Sequence, residues 1–223
     1  MGNIVYQNSA TVTGPVLGNT IGTAHVHRDA STSCRRYDEI YDSVAFSLMI
    51  LVDSQLQDNT GNMDDNQRGW WFSDAQAHSF DARQECKSSY GLDQSLEAVQ
   101  KAVKDLGPFD GILGFSQGAA LVAMLCSLQE QKLDTTLNFR FAILVAGFRS
   151  ACAEHQYLYE GVNITLPSLH VFGQNDKVIS QQMSQDLLPI FLGADILIHR
   201  DGHFVPAASA HKHIYQEFLG RFQ

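Results

Sequence analysis

The chain has 223 residues, of which 44% are apolar and 17% are charged, and its net charge at pH 7 is −9. This composition is typical of a folded protein and argues against a disordered one. It also argues against nucleic acid and anionic membrane surfaces as partners, since both require a basic surface and the longest basic run is Arg35-Arg36.

Membrane and export signals are not expected. No apolar run reaches the roughly 20 residues that span a bilayer, and the N-terminus does not have the pattern of a secretory signal. The four cysteines, Cys34, Cys86, Cys126 and Cys152, fit neither a zinc spacing nor a disulfide framework. They predict free thiols in a reducing compartment, and therefore a cytoplasmic protein without stable membrane insertion.

The first 66 residues differ in character from the rest. They are rich in Ser, Thr, Asn and Gly, and only residues 44–52 (VAFSLMILV) form an apolar run of strand length. The polar stretch 53–69 is a loop by composition. The sequence therefore predicts a divergent, partly irregular N-terminal segment over residues 1–66 and one regular domain over residues 67–223.

Helix and strand patterns alternate from residue 93 onward. Asp93 is predicted to cap a helix that ends near Leu106, and Pro189 is predicted to kink the end of a later helix. The strands are continuous apolar runs, which favours a mostly parallel sheet covered on both faces, an α/β fold with three α/β/α layers. Strands are expected at residues 109–113, 139–145, 169–172 and 195–199, and further helices at 118–128, 180–192 and 207–222.

The pentapeptide GFSQG at residues 114–118 is the main chemical signal. It follows an expected strand directly and opens an expected helix, which is the setting of a nucleophile elbow. In such an elbow a sharp turn exposes Ser116, and the glycines two residues away on either side allow close passage of the backbone. The alternative is a tight strand–helix turn whose serine has no chemical role.

Two downstream residues could complete a catalytic triad with this serine. A serine hydroxyl needs a base to act as a nucleophile, and the base needs an orienting acid. Asp176 and His203 each lie just past the end of an expected strand, where parallel sheets place functional groups. The sequence predicts Ser116 as nucleophile, His203 as base and Asp176 as acid, with Asp201 as the rival carboxylate. The alternatives are a turn cap for Asp176 and an ordinary loop histidine for His203.

An aromatic cluster could belong to a substrate pocket. Trp70, Trp71 and Phe72 are interpreted either as the wall of an acyl or alcohol pocket or as part of the core. Phe115 and Phe204, next to the serine and the histidine in the sequence, are assigned to the same pocket.

Neither a metal nor a cofactor is expected. The pairs His25/His27 and His211/His213 are not followed by carboxylates or cysteines at a metal-binding spacing. The glycine motifs that bind the phosphates of nucleotides do not occur.

Four segments together resemble a known family: GPFDGILGFSQGAA (107–120), RGWWFSDAQ (68–76), LPSLHVFGQNDKVI (166–179) and GHFVPA (202–207). They are similar to the family of serine hydrolases first named in fungi, and most similar to its animal branch, the ovarian-cancer-associated esterases. The resemblance covers about residues 67–223. It implies an α/β-hydrolase fold and hydrolysis of carboxylic esters, which that branch links to long-chain fatty acids.

The N-terminal part departs from this family. Family members carry an apolar strand beside the strand of the nucleophile, and the turn after it supplies a second N–H group of the oxyanion hole. Residues 1–43 contain no such strand and turn, and residues 44–52 suit the next strand instead. We therefore expect residues 1–43 to be irregular, and the first strand and the oxyanion loop to be missing or replaced.

The resulting interpretation is a cytoplasmic serine esterase that acts on a small-molecule or lipid-like acyl ester. An acyl-enzyme forms on Ser116, and the backbone N–H of Gln117 faces the developing oxyanion. One alternative is an acyl thioesterase, which uses the same chemistry. The other is a non-catalytic binding protein, if the N-terminal departure removes the oxyanion hole. The oligomeric state and the acyl chain length stay open.

Overall fold

A seven-stranded sheet, with its strands in chain order, forms the centre of the computed structural model. The structure describes residues 10–13, 23–27, 48–52, 69–77, 79–207 and 209–223. The strands are β1 (Ala10–Thr13), β2 (Thr23–His27), β3 (Leu48–Val52), β4 (Gly111–Phe115), β5 (Phe141–Val145), β6 (Ser168–Gly173) and β7 (Asp195–His199). Neighbouring strands from β1 to β3 pair antiparallel, whereas those from β3 to β7 pair parallel.

Helices connect the parallel strands. They are α1 (Leu92–Leu106), α2 (Gln117–Glu130), α3 (Gln181–Gln185) and α4 (Ser209–Gly220), with two short 3-10 helices at Ala153–Leu158 and Leu188–Ile190. The strands and helices expected from residue 93 onward are present at shifted boundaries, except that the 180–192 helix is divided. It consists of α3 and the 3-10 helix that contains Pro189, whose ring prevents a continuous α-helix.

Two hydrophobic cores lie on the two faces of the sheet. Successive strand residues point to opposite faces, so Ile112 packs with α1, α2 and α3, and Leu113 packs with α4. Helix α2 is buried almost throughout, because its apolar residues run round every side. This arrangement confirms the predicted α/β fold with three layers.

Two details of the expected elements are wrong. Helix α1 is not capped by Asp93, which lies in its first turn; the N-cap is Gly91, whose φ of 95° favours glycine. Strand β7 is not covered on both faces either. Ile196 and Ile198 are 48% and 42% exposed, because β7 is the last strand of the described sheet and only its opposite face packs under α4.

The N-terminal segment is more regular than expected. The expectation of an irregular chain over residues 1–43 is wrong for β1 and β2, which extend the sheet; the remaining residues of that segment lie outside the described ones. The place directly beside β4 is filled by β3, a segment that the sequence assigned to the next strand. Residues 53–68, which follow β3, are outside the described part of the chain, and so is any oxyanion donor that they carry.

In the described residues, none of the helices combines the length and apolar character needed to cross a membrane. The division of the chain near residue 66 stays a prediction.

One buried histidine in the sheet makes the stability depend on pH. His170, in β6, is only 2% exposed, its Nε2 has no hydrogen-bond partner among the described residues, and its ring lies 4.6 Å from that of Phe191. Burial lowers the pKa of His170 from 6.5 to about 3. Between pH 6.5 and about pH 3, the His170 ring therefore binds a proton in the unfolded chain but not in the folded chain. The stability contributed by the neutral ring is therefore present above pH 6.5 and is lost as the pH falls toward 3.

Replacing this histidine should flatten the pH dependence of stability. For His170→Leu, the fall in unfolding free energy between pH 6 and pH 4 should be smaller by up to about 1.4 kcal/mol per pH unit. Urea unfolding at several pH values measures this slope, with the exposed His213→Ala as a matched control. An unchanged slope in His170→Leu would show that the ring becomes protonated within the fold.

Candidate active site

Ser116 lies in a strained turn between β4 and α2. Its φ of 56° and ψ of −123° fall outside the regions that side-chain-bearing residues usually adopt, at a cost of about 1–3 kcal/mol. The backbone N–H of Ser116 donates to the carbonyl of Val145 on β5, at 2.9 Å. The hydroxyl is thus held at the carboxyl edge of the parallel strands, as the elbow motif predicts.

Glycine at position 114 is required by the close approach of α2 to β4. A Cβ atom there would lie 2.4 Å from the carbonyl oxygen of Gly118 and 2.6 Å from the Cα of Ala119. These are backbone atoms of the helix, so the clash could be relieved only by moving α2 and the serine with it.

His203 and Asp176 converge on the serine. His203 Nε2 lies 3.0 Å from Ser116 Oγ, and His203 Nδ1 lies 2.7 Å from Asp176 Oδ2. Both distances are within hydrogen-bonding range, although 60 and 87 residues separate Asp176 and His203 from the serine in the sequence. The rival Asp201 instead places its carboxylate 4.0 Å from His199 Nδ1.

Asp176 uses its two carboxylate oxygens for different purposes. Oδ1 accepts the backbone N–H groups of Val178 and Ile179 at 2.8 and 2.9 Å, and Oδ2 faces His203. Asp176 thus caps its own turn, and this contact is compatible with the predicted role toward the histidine, because the two use different oxygens. Burial raises the pKa of the Asp176 carboxyl, but His203 and the two N–H groups outweigh it, so the pKa lies below its ordinary value. The carboxylate is ionised at neutral pH.

The Gln117 side chain performs a role that the sequence did not reveal. Its Oε1 accepts the backbone N–H of Trp70 at 2.8 Å, and its Nε2 donates to the carbonyl of Trp71 at 2.7 Å. The hydroxyl of Ser95 on α1 also donates to the carbonyl of Trp70. These hydrogen bonds connect the Trp70–Trp71 segment, which precedes α1, to the elbow. The backbone N–H of Gln117 belongs to the first residue of α2, where a helix provides no internal acceptor.

The tryptophans belong to the core. Trp70 and Trp71 are each 1% exposed and lie in the cluster that α1 and α2 cover, and Phe72 is 3% exposed. Trp71 makes edge contacts with the rings of Phe80 and His155, at centroid distances of 5.4 and 5.7 Å. The structure thus favours the core interpretation of this aromatic run over the pocket wall.

Of the other two aromatic residues assigned to the pocket, Phe115 lies beside the proposed base His203, and Phe204 lies beside His199. The ring of Phe115 is 4.7 Å from that of His203, and the ring of Phe204 is 5.3 Å from that of His199. Both side chains are half-buried, so each retains surface that a ligand could contact.

A second serine–histidine contact lies elsewhere. His155 Nε2 is 2.9 Å from Ser89 Oγ, and its Nδ1 is 2.7 Å from Ser150 Oγ. Nδ1 of His155 faces a hydroxyl where Nδ1 of His203 faces a carboxylate, and Glu154 Oε1 lies 3.4 Å from His155 Nε2, the nitrogen that also faces Ser89. The carboxylate therefore does not lie on the ring nitrogen opposite the serine, as a triad requires, and Ser89 precedes α1 without an elbow.

Comparison with known proteins agrees with this fold and chemistry. Mouse alpha/beta hydrolase domain-containing protein 10 matches 96% of the chain, and all of its own structure, with a TM-score of 0.55 at 10% identity. The protein thus has an α/β-hydrolase fold. Residues 35–215 match the family described as serine hydrolase (FSH1), and the chain belongs to that family. The family match begins at residue 35, whereas the resemblance in the sequence motifs begins near residue 67.

Curated relatives of the chain are esterases. The esterase OVCA2 of Danio rerio is 71% identical over 160 residues, which cover 72% of this chain and 70% of that protein. The esterase OVCA2 of Xenopus tropicalis is 50% identical over 185 residues, covering 81% and 80%. The predictions of the family and of a serine esterase are confirmed. The roles of the individual site residues stay predictions.

Gly114 should tolerate no side chain. Gly114→Ala should lower the unfolding free energy by about 3 kcal/mol or more, because its Cβ meets the backbone of α2. Chemical denaturation measures the loss. The control is Gly220→Ala at the end of α4, where a Cβ would meet no atom of the described residues within 4 Å. Equal stability of the two variants would contradict the close approach.

Trp71 should matter for stability rather than for substrate choice. Trp71→Ala should cost about 3–5 kcal/mol of unfolding free energy, because it empties a buried site. Its KM should change by the same factor for acetate and for long-chain esters. Tyr157→Ala, at a side chain that is 53% exposed, is the matched control for stability. A KM that rises only for long esters, at unchanged stability, would restore the pocket-wall interpretation.

Proposed function

We propose that the chain hydrolyses fatty-acid esters through an acyl-enzyme intermediate on Ser116. The observation that carries this proposal is the hydrogen-bonded series from Ser116 Oγ to His203 Nε2 at 3.0 Å and from His203 Nδ1 to Asp176 Oδ2 at 2.7 Å. It begins at a strained serine on a strand–helix turn, where the hydroxyl meets its base in the geometry that nucleophilic catalysis requires.

In the acylation half-reaction, Ser116 Oγ attacks the carbonyl carbon of the ester as its proton passes to His203 Nε2. The carbonyl oxygen becomes an oxyanion, and the N–H of Gln117 and the positive end of α2 stabilise it. The intermediate then expels the alcohol, which takes the proton from His203. The acyl group is left on the serine.

In the deacylation half-reaction, a water molecule attacks the acyl-enzyme and gives its proton to His203 Nε2. The second intermediate releases the carboxylic acid, and the proton returns to Ser116. Throughout both halves Asp176 Oδ2 accepts a hydrogen bond from the N–H of His203 Nδ1 and stabilises the imidazolium. The lowered pKa of Asp176 supports this role, because the carboxylate keeps its charge at neutral pH.

The aromatic side chains near Ser116 and His203 favour a substrate with an apolar acyl group. The half-buried Phe115 lies beside His203, and the half-buried Phe204 lies beside His199. Burial of an acyl chain against such rings gains about 25 cal/mol per Å² of apolar surface. The relatives are named as esterases, which supports an oxygen ester as the bond that is cleaved. The free thiols Cys86, Cys126 and Cys152 accord with a cytoplasmic location.

Removing the nucleophile should abolish turnover. Ser116→Ala deletes one oxygen, and its kcat toward a p-nitrophenyl ester should fall by a factor on the order of 10⁴ or more, since triad members act as a unit. Ser88→Ala, at an exposed serine in the loop before α1, should keep native turnover. More than a tenth of native activity in folded Ser116→Ala would contradict the assignment. A wild-type chain inactive on all esters and thioesters would favour a binding protein.

The acyl site should be detectable through chain length. Phe204→Ala should raise KM for decanoyl esters more than for acetyl esters, because it removes apolar contact area from the acyl chain. A p-nitrophenyl series of increasing length measures this, with Tyr157→Ala as the control. An equal rise across the series would place the acyl chain elsewhere. Matched oxygen esters and thioesters of one acyl group then distinguish an esterase from a thioesterase by kcat/KM.

A further inference from the structure

Two cysteines that are 66 residues apart in the sequence lie side by side in the fold. Cys86 and Cys152 form an isolated parallel bridge between two segments outside the main sheet. Hydrogen bonds hold these segments together: the N–H of Ala153 donates to the carbonyl of Cys86 at 2.8 Å, and the N–H of Glu154 donates to the carbonyl of Lys87 at 3.2 Å. The alignment of the two cysteines is therefore fixed by the backbone.

The bridge gives the two cysteines a geometry compatible with a disulfide. Paired segments lie about 4.7–4.9 Å apart, and disulfide-bonded cysteines have Cα atoms about 4.4–6.8 Å apart. Residues paired in this way direct their side chains to the same side of the bridge. The Cys86 thiol is also near enough to help raise the pKa of the Cys152 thiol. Both cysteines are reduced in this structure.

The two thiols differ in access. Cys86 is half-buried, whereas Cys152 is 1% exposed. Both line a small cleft whose apolar side includes Phe80 and Phe148. Burial, and to a smaller extent the neighbouring Cys86, raises the pKa of Cys152 to about 12. This thiol is therefore protonated and unreactive on its own at neutral pH. Because Cys152 is buried, a small oxidant from the solvent reaches Cys86 first.

We propose that Cys86 and Cys152 are a redox modification site, which hydrogen peroxide or an organic hydroperoxide closes into an intramolecular disulfide. The Cys86 sulfur attacks one peroxide oxygen, the O–O bond breaks, and Cys86 becomes a sulfenic acid as water or an alcohol leaves. The Cys152 sulfur then attacks the Cys86 sulfur. The S–S bond forms, the S–OH bond breaks, and the hydroxyl leaves as water with the thiol proton of Cys152. Two thiols are oxidised and one peroxide is reduced.

A metal site at the same place is less well supported. Ligand atoms of Cys152, Glu154 and His155 lie within 4.8 Å of one another. However, both ring nitrogens of His155 already contact serine hydroxyls, and Glu154 accepts the backbone N–H of Ser89. Metal binding would break these hydrogen bonds, whereas the disulfide uses only the two sulfur atoms.

The disulfide should stabilise the fold whether or not the chain is an esterase. It would close a long loop and so reduce the conformational entropy of the unfolded chain. It would also fix the segment around Cys86 to the segment that precedes the 3-10 helix Ala153–Leu158, next to the buried Trp71.

The test is treatment of the full reduced chain with hydrogen peroxide at low protein concentration. Intact mass should fall by about 2 Da, as expected for two thiols that become one disulfide. Non-reducing peptide mapping should find Cys86 joined to Cys152, and the melting temperature should rise by roughly 5 °C and return with dithiothreitol. Cys86→Ser and Cys152→Ala should each abolish the cross-link. Cys34→Ser and Cys126→Ala are the matched controls and should retain it.

Other products would overturn the proposal. These are a disulfide that involves Cys34 or Cys126, dimers linked between chains, and a Cys86 that stops at sulfinic acid with Cys152 still reduced. The wild-type chain by itself decides among these products, so the result does not depend on whether Cys152→Ala folds.

Discussion

The close packing of α2 against the end of β4 is the constraint on which the rest of the site depends. It leaves no room for a Cβ atom at position 114, and it forces Ser116 into a backbone conformation that side-chain-bearing residues avoid. The same packing places the first N–H of α2 beside the serine hydroxyl. The buried, apolar α2 supplies the energy that maintains this strain, since a helix covered on every side cannot move without opening the core.

Hydrogen bonds from distant parts of the chain fix the elbow and the loops around it. The Gln117 side chain joins the elbow to the backbone of the Trp70–Trp71 segment, and Asp176 joins its own turn to His203. The side chains of Gln117 and Asp176 are buried, so a lost partner would leave a polar atom unpaired at a cost of about 1–3 kcal/mol. The distances between Ser116, His203 and Asp176 are therefore maintained by contacts that also stabilise the fold.

Much of this arrangement could be predicted from the sequence, because local patterns encode it. The continuous apolar strands indicated the parallel sheet, and the positions of Asp176 and His203 just past strand ends indicated a common edge. The rest depends on tertiary contacts without a local pattern. Nothing in the spacing of Gln117 and Trp70, or of Cys86 and Cys152, shows that they meet. The choice between core and pocket for Trp71 required its burial, since an aromatic run suits both.

The central claim is that Ser116 is the activated nucleophile, and covalent labelling tests it most directly. The chain is treated with a fluorophosphonate, which reacts with activated serines, and the adduct is located by peptide mass spectrometry. We expect one adduct, on Ser116, and its loss in the His203→Ala variant, because the base that activates the hydroxyl is then missing. A chain that stays unlabelled, or an adduct on Ser89 beside His155, would contradict the account.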